Sequence, residues 1–419
     1  MTKYPHSQIT LDNGLRLLYV PSMDAESVVV SSMGKVGRRT ELDSEVGSAH
    51  FLEHLFFDGT KSLPNETELK KFLENHGGNF NGSTGTEDVE YWAKMTTEKA
   101  EVAFQFLSDI FFNSLLEDSS IEKEKMVIAQ EASGKRDTPG DLMGRIKWSG
   151  LYPDQAFGRT IFDEEANLPN MNAGMLRGYM ERNYVKENFV LAVSGNISEA
   201  KAIQLGNKYF GPFASGRETI FEPARFVNSG YVKILNKDFN QSCLAVSFRG
   251  LPTFDERYRQ IDFLSVILGD SSSSRLEQKL RHEQHLVYSV WSSLDGGVDT
   301  GCLSISTRIK EENLQRALDL IFVELKRLTE EDITDEELTR ARNIALSGYL
   351  FYVEKVHSRA TAMAEELLLN KKIKSIEEDV AAIKAVTKSD IREMARYVFF
   401  DQPKINIITK NPIEVKVIL

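Results

Sequence analysis

His50-Phe51-Leu52-Glu53-His54, answered after 76 intervening residues by Glu131 at the end of Glu124-Lys125-Met126-Val127-Ile128-Ala129-Gln130-Glu131, is the stretch on which the reading of this chain turns. Histidines at i and i+4 project from one face of a helix, so one metal ion can accept a ring nitrogen from each. Glu53 sits beside them, where a carboxylate can take a proton from water. The order H-x-x-E-H inverts the commoner H-E-x-x-H, and the same demand, that of zinc-dependent hydrolysis, produces both. Taken alone, His50 and His54 also fit a solvated helix face. The apolar Phe51, Leu52, Leu55, Phe56 and Phe57 argue instead for a largely buried helix, where two imidazoles and a carboxylate need partners.

A hydrolytic zinc takes three protein ligands and keeps a fourth position for water. His50 and His54 supply two, and a carboxylate is the natural third. Glu131 lies on a separate predicted helix, with Glu124 two turns before it on the same face. One of these carboxylates can bind metal while the other accepts the N–H of a ligand histidine and fixes its tautomer. Together with Glu122, the same residues also fit the solvated stripe of an amphipathic helix. The pentad upstream favours a site.

Length and composition bound the rest. A chain of 419 residues is too long for one ordinary core and implies two domains of about 200 residues each. With 41% hydrophobic and 27% charged residues it has the composition of a soluble globular protein. The net charge of −11 disfavours nucleic acid as a partner and suits basic peptides. No apolar run approaches the roughly 20 residues that span a bilayer, so no membrane partner is expected. The opening Met1-Thr2-Lys3-Tyr4-Pro5-His6-Ser7 lacks the apolar core of a signal peptide, which points to the cytoplasm unless a leader has been removed. Cys243 and Cys302 fall in alternating, strand-like segments without C-x-x-C spacing, and are expected to be buried free thiols.

Along the chain, residues 8–20 predict a hairpin turning at Asn13-Gly14, and 27–35 a buried strand. Helices follow at 47–58 and from Asn65, which with Glu68 reads as an N-cap, to Gly77-Gly78. A polar segment, 79–86, precedes an alternating strand at 89–95. Helices are expected at 98–113 and 119–134, the latter with a Ser119/Glu122 capping box, then an irregular stretch, a helix at 173–184 and a strand at 189–194. Residues 211–225 carry two prolines and two glycines with no clear period, which places the boundary there, with 213–225 as a linker between domains at 1–212 and 226–419. Beyond it the order recurs: strands at 230–237 and 242–249, helices at 254–268 and 272–284, strands at 286–295 and 301–308, long helices over 311–398 and a strand at 404–409. The two halves read as one α+β unit used twice.

The pentad with E-K-E-K-M-V-I-A-Q-E resembles the pitrilysin, insulin-degrading enzyme and mitochondrial processing peptidase family of zinc metallopeptidases. The resemblance extends over nearly the whole chain. It includes the T-L-D-N-G-L-R hairpin, N-F-N-G-S-T, F-G-R-T-I at 157–161, N-Y-V-K-E-N-F-V-L-A-V-S-G-N at 183–196 and S-S-S-S-R-L-E-Q-K-L-R-H-E-Q-H-L-V-Y in the second half. It implies two homologous domains, each a mostly antiparallel sheet packed on helices, forming half of a clamshell. It further implies one zinc held by His50, His54 and Glu131, with Glu53 as base and Glu124 behind a ligand. Arg281 and Tyr288 match the pair that the family's second half contributes to substrate and developing oxyanion, a role a guanidinium and a phenol suit. His282 and His285 beside them are read as non-ligands. Asn79, Phe80, Asn81, Gly82, Ser83 and Thr84 occupy the place of the family's edge strand, where extended peptide pairs backbone to backbone. Read from its residues alone, that segment is equally a polar connection.

Long members of the family carry four such domains in one chain, and this chain has two. The resemblance therefore implies a partner chain. A homodimer is the simpler expectation, and a heterodimer of the processing-peptidase kind the alternative. The expected activity is metalloendopeptidase cleavage of peptides or unfolded segments in an enclosed dimer. The alternative from another class is a non-catalytic assembly subunit, which would have lost metal or base residues that are intact here.

Overall fold

The first hairpin forms around Gly14, whose φ of 91° suits a residue without Cβ, and Asn13 Oδ1 accepts the Leu15 N–H at 3.0 Å. The computed structural model describes residues 4–416, so the first three residues of the opening segment lie outside it. Six strands follow from this start: β1 (Ser7–Thr10), β2 (Arg16–Pro21), β3 (Ser27–Gly34), β4 (Asn79–Thr84), β5 (Val89–Thr96) and β6 (Phe189–Gly195). They join in the order β1-β2-β6-β3-β5-β4, all antiparallel except β2 with β6.

Alternation decides what each face of this sheet does. Leu17, Tyr19, Val28, Val30, Tyr91, Ala93, Leu191 and Val193 enter a core with Phe51, Leu52, Leu55 and Phe56 of the helix Ser48–Phe56, the histidine helix. Each such side chain contributes up to about 1.5–3 kcal/mol by burial, so four of them fix the orientation of a nine-residue helix. The other face, carrying Ser31 and Glu90, is covered by the helix Val356–Glu365, which packs on β2, β3 and β6.

The second unit is built alike. β7 (Tyr231–Asn236), β8 (Ser242–Arg249), β9 (Val287–Gly296), β10 (Gly301–Ile309) and β11 (Lys404–Thr409) run in the order β7-β11-β8-β10-β9, with β7 and β11 parallel. One face packs on the helices Tyr258–Leu268, Leu314–Glu330 and Lys388–Phe399. Leu142, Met143 and Ile146 of the helix Pro139–Leu151 meet Cys243, Ala245 and Ile408 on the other. Cys243 and Cys302 are buried and free.

Each sheet thus borrows a covering helix from elsewhere in the sequence. The compact units are residues 1–132, 161–222 and 350–377, and residues 133–160, 223–349 and 378–419, rather than the linear segments 1–212 and 226–419. Two local expectations also change. The stretch read as irregular holds the helix Pro139–Leu151, started by Thr138 and Pro139. Ser119 lies inside a helix that begins at Asp118, with its hydroxyl 3.5 Å from Glu117 Oε2, rather than capping it. Among the described residues no helix is long and apolar enough to cross a membrane.

Candidate metal centre

The histidine helix starts at Gly47, which has φ of 95° and no side chain to cap the free N–H groups. Glu41, buried in the preceding loop, supplies the cap: its carboxyl accepts the Gly47 N–H at 2.9 Å and the Ala49 N–H at 3.0 Å. Burial pushes Glu41 up to about 8, against the pull of those two bonds.

His50 and His54 emerge one turn apart, with rings perpendicular and centroids 4.8 Å apart. His50 Nδ1 lies 2.8 Å from Glu164 Oε2, and His54 Nδ1 lies 2.9 Å from Glu124 Oε2. Glu164, on the helix Ile161–Asn167 and only 1% exposed, also accepts Arg38 Nε at 2.5 Å. Burial alone would raise its carboxyl, but the His50 hydrogen bond and the Arg38 charge outweigh that and hold it at about 2.

The tautomers follow from these partners. Carboxylates only accept, so each Nδ1 carries the proton and each Nε2 presents a lone pair. The two Nε2 atoms face each other at 3.3 Å, an arrangement that calls for a cation or a proton between them. The Glu124 hydrogen bond, foremost, raises the His54 imidazole despite burial. With zinc, nitrogens at about 2.0–2.1 Å in a tetrahedron stand about 3.3–3.4 Å apart. Glu131 Oε2 lies 3.8 Å from His50 Nε2, and the three donors fall within 4.8 Å of one another. The residues fit a zinc ion, and each histidine has the carboxylate partner that orients such ligands.

Glu53, between the histidines, accepts a 2.5 Å hydrogen bond from Thr84 Oγ1 on β4. The segment with two readings is a strand at the sheet's edge, paired among the described residues only with β5. Asn79, Asn81 and Ser83 are exposed, while Phe80 packs on Phe57 with ring centroids 5.2 Å apart. A Cβ on Gly82 would come within 3.0 Å of Glu53 Cγ and 2.8 Å of the Phe57 ring, so the strand passes this close because the residue is glycine. The Gly82 N–H is taken by Asn81 Oδ1 at 3.0 Å.

Arg281 and Tyr288 come together in the second unit. Arg281, in a π-helical turn over Glu277–Glu283, donates to Glu277 Oε1 at 2.5 Å, and its guanidinium lies 5.4 Å from the centroid of the Tyr288 ring on β9. Tyr288 is 76% exposed, and His282 and His285 are exposed beside it.

The sequence reading missed Glu164, Arg38, Glu41 and the bond from Thr84 to Glu53. Only Glu164 had a signal, as an acid three residues beyond F-G-R-T-I.

Comparison with known proteins bears on the family and the fold. The sequence profile of Insulinase (Peptidase family M16) matches residues 20–151, and that of the Peptidase M16 inactive domain matches residues 170–345. The chain is 30% identical to an uncharacterized zinc protease of Rickettsia bellii over 96% of this chain and 97% of that one. It is equally similar to the uncharacterized zinc protease YmxG of Bacillus subtilis, with the same coverage. A protease from Helicobacter pylori shares the fold, with a TM-score of 0.89 at 22% identity over 98% of this chain and 100% of that one. The chain therefore belongs to peptidase family M16, the pitrilysin and insulinase family, in its short two-domain form.

Proposed function

We propose that the protein is a zinc metalloendopeptidase that hydrolyses peptide bonds in peptides or unfolded segments. The observation that carries this reading is the pair of Nε2 lone pairs facing each other, each histidine backed by its own carboxylate, with Glu131 and Glu53 alongside. His50, His54 and Glu131 hold one zinc per chain, which when bound supplies Lewis acidity and water of lowered pKa. Glu53, steadied by Thr84, takes the proton of the attacking water and returns it to the leaving amine. Glu124 and Glu164 keep the histidine tautomers and ring planes fixed.

Substrate adds as an extended strand to β4, at Asn79, Phe80, Asn81, Gly82, Ser83 and Thr84, which brings its backbone to the strand that holds Glu53. Arg281 and Tyr288, mutually stacked and solvent-facing, serve substrate and oxyanion from the second subunit of a homodimer. The inactive-domain profile covers 170–345 and so leaves His50, Glu53, His54 and Glu131 outside it.

Glu53→Gln tests the reading. The variant should bind zinc stoichiometrically by elemental analysis and lose about 10²–10⁴ in turnover of an unstructured peptide. Parental turnover in folded, zinc-loaded Glu53→Gln protein would sink it. Mixing Glu53→Gln with Arg281→Ala chains tests the dimer separately: activity should return only if one subunit completes the other's site.

A further inference from the structure

Among the described residues, three basic side chains are buried in the fold: Arg39, Lys404 and Arg359. Arg39, 8% exposed, is paired with Glu87, and Lys404 with Asp401. Arg359, on the helix Val356–Glu365 and only 2% exposed, is paired with no carboxylate among the described residues. Its Nη1 donates to the Val353 carbonyl at 3.0 Å, while Nε and Nη2 are buried without a partner. A guanidinium stays protonated in proteins, so this is a buried, uncompensated charge, which folded proteins avoid. Burial depresses its pKa, against the opposing pull of the Tyr4 phenol.

The unpartnered atoms are not an arbitrary pair. Nε and Nη2 form the edge by which Arg275 holds Glu337 through two parallel bonds of 2.7 and 3.0 Å. The Tyr4 ring, 4.5 Å from Arg359 Cζ, covers the flat face of the guanidinium and leaves that edge for an acceptor in its plane. Glu90, the carboxylate on the same helix and sheet seam, is already occupied by Ser31, His357 and Thr361.

We propose that Arg359 anchors a binding site for a two-oxygen anion, a carboxylate or a phosphate, held bidentately by Nε and Nη2 under the Tyr4 ring. The site lies beneath the helix Val356–Glu365, on the sheet face opposite the histidine helix. Its occupant pins the start of that helix to the end of the preceding one at Val353.

Thermal melting of the zinc-loaded protein at fixed ionic strength tests this, with acetate and phosphate titrated separately against chloride. The parent should gain a saturable rise of about 2 °C with one or both anions. Acetate alone would identify the carboxylate source, phosphate alone the inorganic one. Arg359→Met, whose metal centre is intact, should show neither rise and should match or exceed the parent's Tm in chloride. A parent no more responsive than Arg359→Met, or a variant equally destabilised in every buffer, overturns the proposal. Should Arg359→Met fail to fold, crystals of the parent soaked in bromoacetate decide: anomalous density beside Arg359 Nε and Nη2 supports the site, and its absence there rejects it.

Discussion

At the candidate metal centre His50 and His54 give their Nδ1 atoms to separate carboxylates and turn their Nε2 atoms toward each other, whereas across the same sheet three donors converge on one oxygen. There Ser31 Oγ, Thr361 Oγ1 and His357 Nε2 lie 2.7, 2.9 and 3.1 Å from Glu90 Oε1, and His357 packs on Trp92 with ring centroids 4.5 Å apart. Burial would raise the Glu90 carboxyl, but those bonds, His357 foremost, hold it below its usual value. Both clusters join histidine to glutamate. The first keeps donor atoms for something else, and the second satisfies its members internally and fastens a helix to a sheet.

Three substitutions can break or sharpen that contrast. The largest effect is expected for Glu90→Ala, which leaves the buried Ser31 and the half-buried His357 and Thr361 without their acceptor and should cost about 3 kcal/mol of stability. Chemical denaturation reads the loss, and zinc content and peptide turnover at 25 °C should be unchanged. If turnover falls too, the two clusters are coupled. Glu164→Gln comes next, because it removes the anion that orients His50. Zinc affinity should weaken about 10–100-fold, or about 1.4–2.7 kcal/mol, in a competition titration. An unaltered affinity would remove Glu164 from the site.

The smallest effect lies further along the seam, where Glu365 follows His357 and Thr361 at the same helical spacing. Burial first, then the charges of Asp88, Glu366, Glu87 and Glu90, lifts Glu365 to about 7, and Asp88 is lifted to about 6 by burial and Glu90. A carboxyl raised in the fold contributes stability that is full below its unfolded pKa and lost as pH rises through the folded one. The fold should therefore weaken between about pH 4.5 and 7.5 on account of these groups. Glu365→Gln should be neutral near pH 4.5 and stabilising by about 1–2 kcal/mol at pH 8, allowing for partial exposure. A difference in Tm that does not vary with pH would show that the seam does not titrate.

The pattern of what the sequence disclosed follows from the range of the interactions. The histidine helix was legible because its apolar residues and its two histidines obey one local period, and the place of Glu131 because two turns relate it to Glu124. Glu164 was not, since it meets His50 across 114 residues and only the folded chain joins them. Pro139–Leu151 hid behind Gly140, Gly144 and Gly150, which dilute a helical signal that Thr138 and Pro139 announce. The exchange of covering helices between units left no local trace either, because a helix shows which face is apolar but not which sheet will receive it. β4 stayed ambiguous because an edge strand needs no alternation of large apolar residues.

That same edge bears on how the protein behaves in concentrated solution. Open strand edges are where folded proteins stick to their own copies. β4 offers a rim of Asn, Gly, Ser and Thr with one aromatic, poor in the β-branched residues from which fibrils are made, and Asn81 folds back over the Gly82 N–H. Two such rims have little to give each other. By composition, pairing at this rim would favour a foreign, strand-prone segment over a second copy of the same rim.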